Sequence, residues 1–280
     1  MYSKVTEARH PKSEGFDKMP TRQCLELMFE ADLEAVTAQR PVLGLLEVAI
    51  ERIVEALQTG HTLYLVGAGT GGRCAVLQAA ELKSTFQIYE DMVQAFLSGG
   101  KEAMFEAVPG SEDDYEAGYR CLHDAVQEGD VVLGLSVSGN APYVLGALAA
   151  ADEKKAYTMA LSSDPNSQIA KKADLGILVL YGPELIAGST RMNGGTVQKL
   201  VLDKITTIVA AKLGRIRGNM MSYVDPTKAK KMAIRLFRLS TDLKDWEDVE
   251  ASQRKADELL QATDYDVNEA IKRYYGKDSP

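Results

Sequence analysis

A chain of 280 residues, 45% hydrophobic and 26% charged, has a globular composition and enough length for one large α/β domain plus a small appendage. A net charge of −8 argues against nonspecific nucleic-acid binding, and with no run of 18 apolar residues no membrane span is expected. Three cysteines without metal spacing (Cys24, Cys74, Cys121) and three scattered histidines (His10, His61, His123) offer neither a zinc site nor a triad, so acid–base work falls to carboxylates.

The opening stretch MYSKVTEARHPKSEG has no apolar signal core, and a cytoplasmic protein is expected. Residues 1–20, with Pro11, Gly15 and Pro20, read as an irregular arm. Thr21 can cap a helix whose apolar face is Leu25, Leu27, Met28 and Leu33, and a second helix spans roughly Pro41–Gly60. Strands at Leu63–Val66, Val93–Leu97, Val131–Leu135, Thr158–Leu161 and Leu175–Leu180 then alternate with helical segments. Several are continuous apolar runs, as expected when both faces of a sheet are covered. The alternation predicts an α/β fold built on an open, mostly parallel sheet, and a long helix follows from about Gly194 to Leu213.

After Gly218 the texture changes to three short helical patterns, Lys228–Arg238, Val249–Leu260 and Val267–Tyr275. They predict a small C-terminal three-helix bundle, which divides the chain into domains 1–225 and 226–280. The charged run Lys228–Lys231 reads as a solvated face.

Two loops carry the chemistry. In the first, the strand Leu63–Val66 breaks at Gly67-Ala-Gly-Thr-Gly-Gly72 and resumes as a helix. Free N–H groups at a helix start favour an anion, and glycine lets an oxyanion approach the backbone. Gly67, Gly69 and Gly72 fit G-x-G-x-x-G, with Glu90 or Asp91 about twenty residues on, where a dinucleotide fold keeps its ribose acid. A sugar-phosphate loop using Thr70, or a turn with no ligand, fits the same letters. The second loop, Ser136-Val-Ser138-Gly139 after the strand Val131–Leu135, places two hydroxyls beside another helix start. Two such loops in one sheet favour a monophosphorylated small molecule, bound outside the carboxyl ends of the strands.

The motifs Gly67-Ala-Gly-Thr-x-Gly-Arg73, Ala79-Ala-Glu81, Ala107-Val-x-Gly-x-Glu-Asp113 and Ser138-Gly-x-x-Pro-Tyr-Val144 then occur in order. Gly182-Pro-Glu-x-Ile-x-Gly-Ser-Thr-Arg-Met192 and Gly195-Thr-x-Gln-Lys-Leu-Val-Leu202 follow. This series, with the arm Thr6-Glu-Ala-Arg-His-Pro11 and the C-terminal helices, resembles the N-acetylmuramic acid 6-phosphate etherases over nearly the whole chain. The resemblance implies the sugar isomerase (SIS) fold, a parallel five-stranded sheet between helices. It also implies a lyase that cleaves the D-lactyl ether of a 6-phosphorylated amino sugar, with no cofactor and no metal.

By the same resemblance Glu81 matches the general acid, and Glu112 the second glutamate, taken as the base at C2. One of the two is expected to stay protonated near neutrality. Gly69, Thr70, Gly71 and Gly72, with Ser136, Ser138, Gly139 and Asn140, form the implied phosphate and substrate loops, joined by Ser189 and Thr190. Glu81 lies eleven residues beyond Thr70, about 16 Å along a helix. A homodimer with shared active sites, Glu81 entering the neighbour's pocket, is therefore expected.

The chain departs from the family at several points. Gly71 stands where serine is usual, Asn140-Ala141 where Arg-Thr is common, and Lys83-Ser84 where two prolines usually follow the acid. Pro109 replaces a further glutamate and Asn193 a lysine or similar residue, while Ser136 stands where alanine is frequent. A noncatalytic sugar-phosphate sensor like the glucokinase regulatory protein, with a kinase partner, is the alternative from another class. A sugar-phosphate isomerase and a dinucleotide enzyme are the others. No nucleic-acid or membrane partner is expected.

Overall fold

Five apolar runs pair into one parallel sheet in a computed structural model that describes residues 5–221 and 226–276. They are β1 (Leu63–Gly67), β2 (Val93–Leu97), β3 (Val131–Leu135), β4 (Tyr157–Ser162) and β5 (Leu175–Leu178), in the order β2-β1-β3-β4-β5. β1 and β3 are buried at every position, which is what their unbroken apolar sequences require of central strands.

The helices of this part are α1 (Thr21–Thr37), α2 (Leu43–Gln58), α3 (Gly69–Phe86), α4 (Tyr115–His123), α5 (Pro142–Glu153), α6 (Gln168–Lys172) and α7 (Asn193–Lys212). α4, α5 and α6 cover one sheet face, where Leu122, Val144, Leu148 and Ile169 pack on Tyr64, Val66 and Val132. α2 packs against β1, β3 and β5.

Three expectations shift. The second helix starts at Leu43, because Pro41 lies in a separate 3-10 turn, Arg40–Val42. The fifth strand stops at Leu178. The Val179 N–H still reaches the Ser162 carbonyl, but Leu180 is half exposed. On α1 the buried residues are the small Ala31 and Ala35, while Leu27 and Met28 are half-buried. Leu25, Phe29, Leu33 and Val36 form an outward stripe, 50–63% exposed. Of the four residues of the expected apolar face, Leu25 and Leu33 thus lie at the surface and Leu27 and Met28 are half-buried.

The chain divides into two compact units. The first, Met1–Ala79 with Glu90–Thr206, holds the sheet. The second consists of Ala80–Tyr89 and Thr207–Pro280. Within it a two-residue hairpin, β6 (Ile216–Arg217) with β7 (Met220–Met221), precedes α8 (Pro226–Leu239), α9 (Val249–Gln261) and α10 (Val267–Tyr275). Phe237, Leu243, Leu260 and Ile271 form their common core. Asp248 and Asp266 cap α9 and α10 by accepting the Ala251 and Glu269 N–H groups. The boundary expected at 225/226 falls at residues 222–225, outside the described residues, as does the side chain of Lys228. Lys230 is 2.7 Å from Asp257 across this bundle.

In the strand order 2-1-3-4-5 the direction of build-up reverses between β1 and β3. Their carboxyl ends therefore open a crevice, the place where such sheets bind ligands.

Candidate active site

At that crevice lies a cleft of about 220 Å³, bounded by five stretches of the first unit. The loop after β1 contributes Gly69, Thr70 and Gly71, and the loop after β3 contributes Ser136, Ser138 and Asn140. Gly188 and Thr190 form a third wall, and the arm supplies Thr6 and Glu7. Glu112 and Asp113 also line it, so its ionisable lining groups among the described residues are the carboxylates Glu7, Glu112 and Asp113. No Lys, Arg or His is among the described lining residues.

The first loop turns into α3 at Gly69, whose φ of +53° is left-handed. Gly72 of this loop does not line the cleft. It packs against Gly67 and Leu97, holding the start of α3 onto the sheet. In the second loop the Gly139 N–H donates to the Ser136 carbonyl and hydroxyl oxygens, at 3.0 and 3.1 Å. The Asn140 amide donates to the Ser138 carbonyl at 2.7 Å. The loop is thus closed on itself, and Ser138 lines the cleft. Gly139, at φ +71°, is buried against Ser167 and Ser162 rather than exposed to a ligand.

The third wall is built by a residue that the sequence reading did not single out. Glu184 is fully buried and accepts the Asn193 N–H (3.0 Å), the Gly194 N–H (2.8 Å) and the Tyr181 hydroxyl (2.7 Å). Its carboxylate caps α7 and occupies the anion position that this helix start would otherwise offer a ligand. Burial, and then the Glu184 charge, push the Tyr181 hydroxyl far up from its ordinary range, so it remains a donor. The Gly195 N–H ties back to the Thr190 carbonyl at 2.9 Å, which fixes Thr190 at the cleft. Ser189 is not among the lining residues.

The arm closes the fourth side. The Gly188 N–H donates to the Thr6 carbonyl at 2.9 Å, and the Val5 N–H to the Asp164 carboxylate at 3.0 Å. Thr6 is 1% exposed as a result. A polar stretch expected to be irregular is therefore a short 3-10 turn built into the cleft.

Glu112 sits on the 3-10 turn Ser111–Asp113, entered through left-handed Gly110, and is exposed. Glu81 is exposed on α3, belongs to the second unit and is not among the cleft-lining residues. Glu90 and Asp91 precede β2, at the opposite end of the sheet from the loops, and the Asp91 carbonyl accepts the Thr62 hydroxyl. A ribose acid belongs at the strand's carboxyl end, so the dinucleotide reading of the glycine loop fails on geometry.

Residues 46–152 match the family model described as the glucokinase regulatory protein N-terminal SIS domain, and residues 112–207 the SIS domain model. N-acetylmuramic acid 6-phosphate etherases from Clostridium beijerinckii and Rhizobium rhizogenes are 37% and 39% identical to this chain over 270 residues. That is 95% of the chain and 86% and 85% of theirs. The chain belongs to the N-acetylmuramic acid 6-phosphate etherase family. Its fold is also that of the phosphoheptose isomerases from Neisseria gonorrhoeae and Francisella tularensis, with TM-scores of 0.52 and 0.54 at 18% and 16% identity. Each superposition covers 69% of this chain and 100% of the other.

Within the etherase family, the glycine at position 71 has a local cause. A Cβ there would lie 2.9 Å from both the Gln198 side-chain oxygen and the Leu135 carbonyl oxygen. The Gln198 amide is buried with neither polar atom hydrogen-bonded, so it fills this space without gaining a partner.

Proposed function

We propose that this chain is a lyase that opens the D-lactyl ether of N-acetylmuramic acid 6-phosphate, giving N-acetylglucosamine 6-phosphate and D-lactate. The observation that carries the reading is Glu112 on the wall of a cleft whose neighbouring walls are hydroxyl-bearing loops at helix starts. Membership of the etherase family supplies the substrate.

In this reading the first-turn N–H groups of α3, with the Thr70 and Ser138 hydroxyls, take the phosphate. The open-chain sugar then presents C2 beside the C1 aldehyde, which makes the C2 hydrogen acidic. Glu112 removes that proton, and the electron pair moves toward the carbonyl. The C3–O bond breaks, and the departing lactate oxygen takes a proton from a carboxylic acid. Water adds at C3 and a proton returns to C2, so the sum is ether plus water to alcohol plus lactate. Each positioned carboxyl group contributes about 10²–10⁴-fold.

The proposed acid is Glu81 of a second copy of this chain. The α1 stripe of Leu25, Phe29, Leu33 and Val36 supports a homodimer as the surface two copies would cover. Fully burying one such side chain is worth about 1.5–3 kcal/mol.

The test is to incubate pure protein with N-acetylmuramic acid 6-phosphate and measure released lactate. Release at a catalytic rate supports the lyase. Binding without lactate would overturn it in favour of a sensor, which needs the loops but not Glu112.

A further inference from the structure

The segment between β2 and α4 has to bring Glu112 back to the cleft after an excursion through residues 99–110, which includes the 90% exposed Phe105. One residue links both ends of that excursion to the phosphate loop. Ser98, immediately after β2 and 1% exposed, donates its N–H to the Gly67 carbonyl at 3.0 Å. Its hydroxyl donates to the Ser111 hydroxyl at 2.9 Å, and Ser111 is the first residue of the turn that carries Glu112. Gly99, at φ +80°, brings the chain so close that a Cβ would lie 3.0 Å from the Val108 Cβ and 3.2 Å from the Ser111 hydroxyl. The excursion is thus closed like a loop around one partly buried hydroxyl pair. The same residue grips the last position of β1, from which the glycine loop departs.

We propose that Ser98 is a positioning residue that sets the Glu112 carboxylate relative to the phosphate loop. The proposal rests on the reading of Glu112 as the C2 base. Ser98 is not among the residues that line the cleft. It fixes the distance between the group that holds the phosphate and the group that takes the proton. A misplaced base lowers the chemical step while leaving ground-state binding in place, because only interactions stronger in the transition state govern that step.

The experiment compares Ser98→Ala, Ser111→Ala, the double variant and Glu112→Gln in the full chain. It measures lactate release and solvent deuterium incorporation at C2. Ser98→Ala is expected to lower kcat about tenfold, to slow C2 exchange in parallel, and to leave KM within about twofold. Ser111→Ala should match it from the more exposed partner, and so serves where Ser98→Ala does not fold. The double variant should lose no more than either single one, since both remove one hydrogen bond. A dead Glu112→Gln beside full kcat in both serine variants would overturn the proposal while sparing the reading of the base. Wild-type exchange in Glu112→Gln would overturn both. A raised KM at unchanged kcat in the serine variants would reduce the pair to a prop for the phosphate loop, and that too overturns the proposal.

Discussion

Gly67 and Gly72 face each other across the start of α3. A Cβ on Gly67 would lie 2.6 Å from the Gly72 nitrogen, and one on Gly72 would lie 2.5 Å from the Gly67 carbonyl oxygen. Both contacts are backbone on backbone, with no flexible side chain to give way. Gly72→Ala is therefore expected to cost about 1–3 kcal/mol as an overpacking substitution. Gly69→Ala meets open space and carries only the left-handed strain of its φ of +53°, about 1 kcal/mol. Urea unfolding of the two variants separates them, and equal costs would contradict the close approach.

The Glu184 cap predicts a structural loss with a functional echo. Glu184→Ala leaves two N–H groups and the Tyr181 hydroxyl without their acceptor, at a cost on the order of 3 kcal/mol. Glu184→Gln keeps one carbonyl oxygen and should lose less. Because the helix start that Glu184 caps seats Thr190 at the cleft through the Gly195 N–H, both variants should bind sugar phosphate more weakly in calorimetry, in the same rank order. Unchanged affinity in a destabilised Glu184→Ala would separate the cap from the site.

Replacing the proposed base isolates chemistry from binding. Glu112→Gln keeps the shape of the side chain and removes its capacity to take a proton. It should abolish deuterium uptake at C2 and leave the affinity for sugar phosphate nearly intact. Exchange at the wild-type rate would place the base elsewhere.

Shared sites can be tested by mixing dead subunits. Glu81→Ala and Glu112→Ala proteins should each be inactive alone. After subunit exchange, a mixed dimer would hold one site with both glutamates intact, so activity should return. A mixture shown to exchange subunits that stays inactive would reject the arrangement, as would full activity in a monomer.

The parallel sheet is legible in the sequence because β1 and β3 are buried on both faces and so must be apolar throughout. The two loops that line the cleft are legible for a related reason, since glycine and serine at a strand end followed by a helix are local signals. Glu184 is not legible as a cap. Its meaning depends on a loop that returns to the start of α7, nine residues later in sequence. Thr6 is hidden in the same way, because its place in the cleft comes from Gly188, far along the chain. On α1, periodicity marks an apolar face but cannot say whether that face meets the chain's own core. Here Ala31 and Ala35 are the buried residues, while Leu25, Phe29, Leu33 and Val36 are exposed.

A cleft whose described ionisable lining groups are all carboxylates imposes a kinetic signature. A sugar phosphate, which in the proposed substrate carries a lactyl carboxylate besides the phosphate, meets repulsion first on approaching a chain of net charge −8, and attraction only once N–H and hydroxyl dipoles are within contact. That repulsion reaches about 30 Å at 0.01 M salt and about 8 Å at 0.15 M. Added salt should therefore speed capture of the sugar phosphate in stopped-flow measurements, the reverse of a lysine- or arginine-lined site. An association rate that falls with salt would show a cation reaching the ligand. The same long-range barrier rises with ligand charge, so the cleft sorts anions before touching them, turning away a nucleoside triphosphate more strongly than a sugar monophosphate.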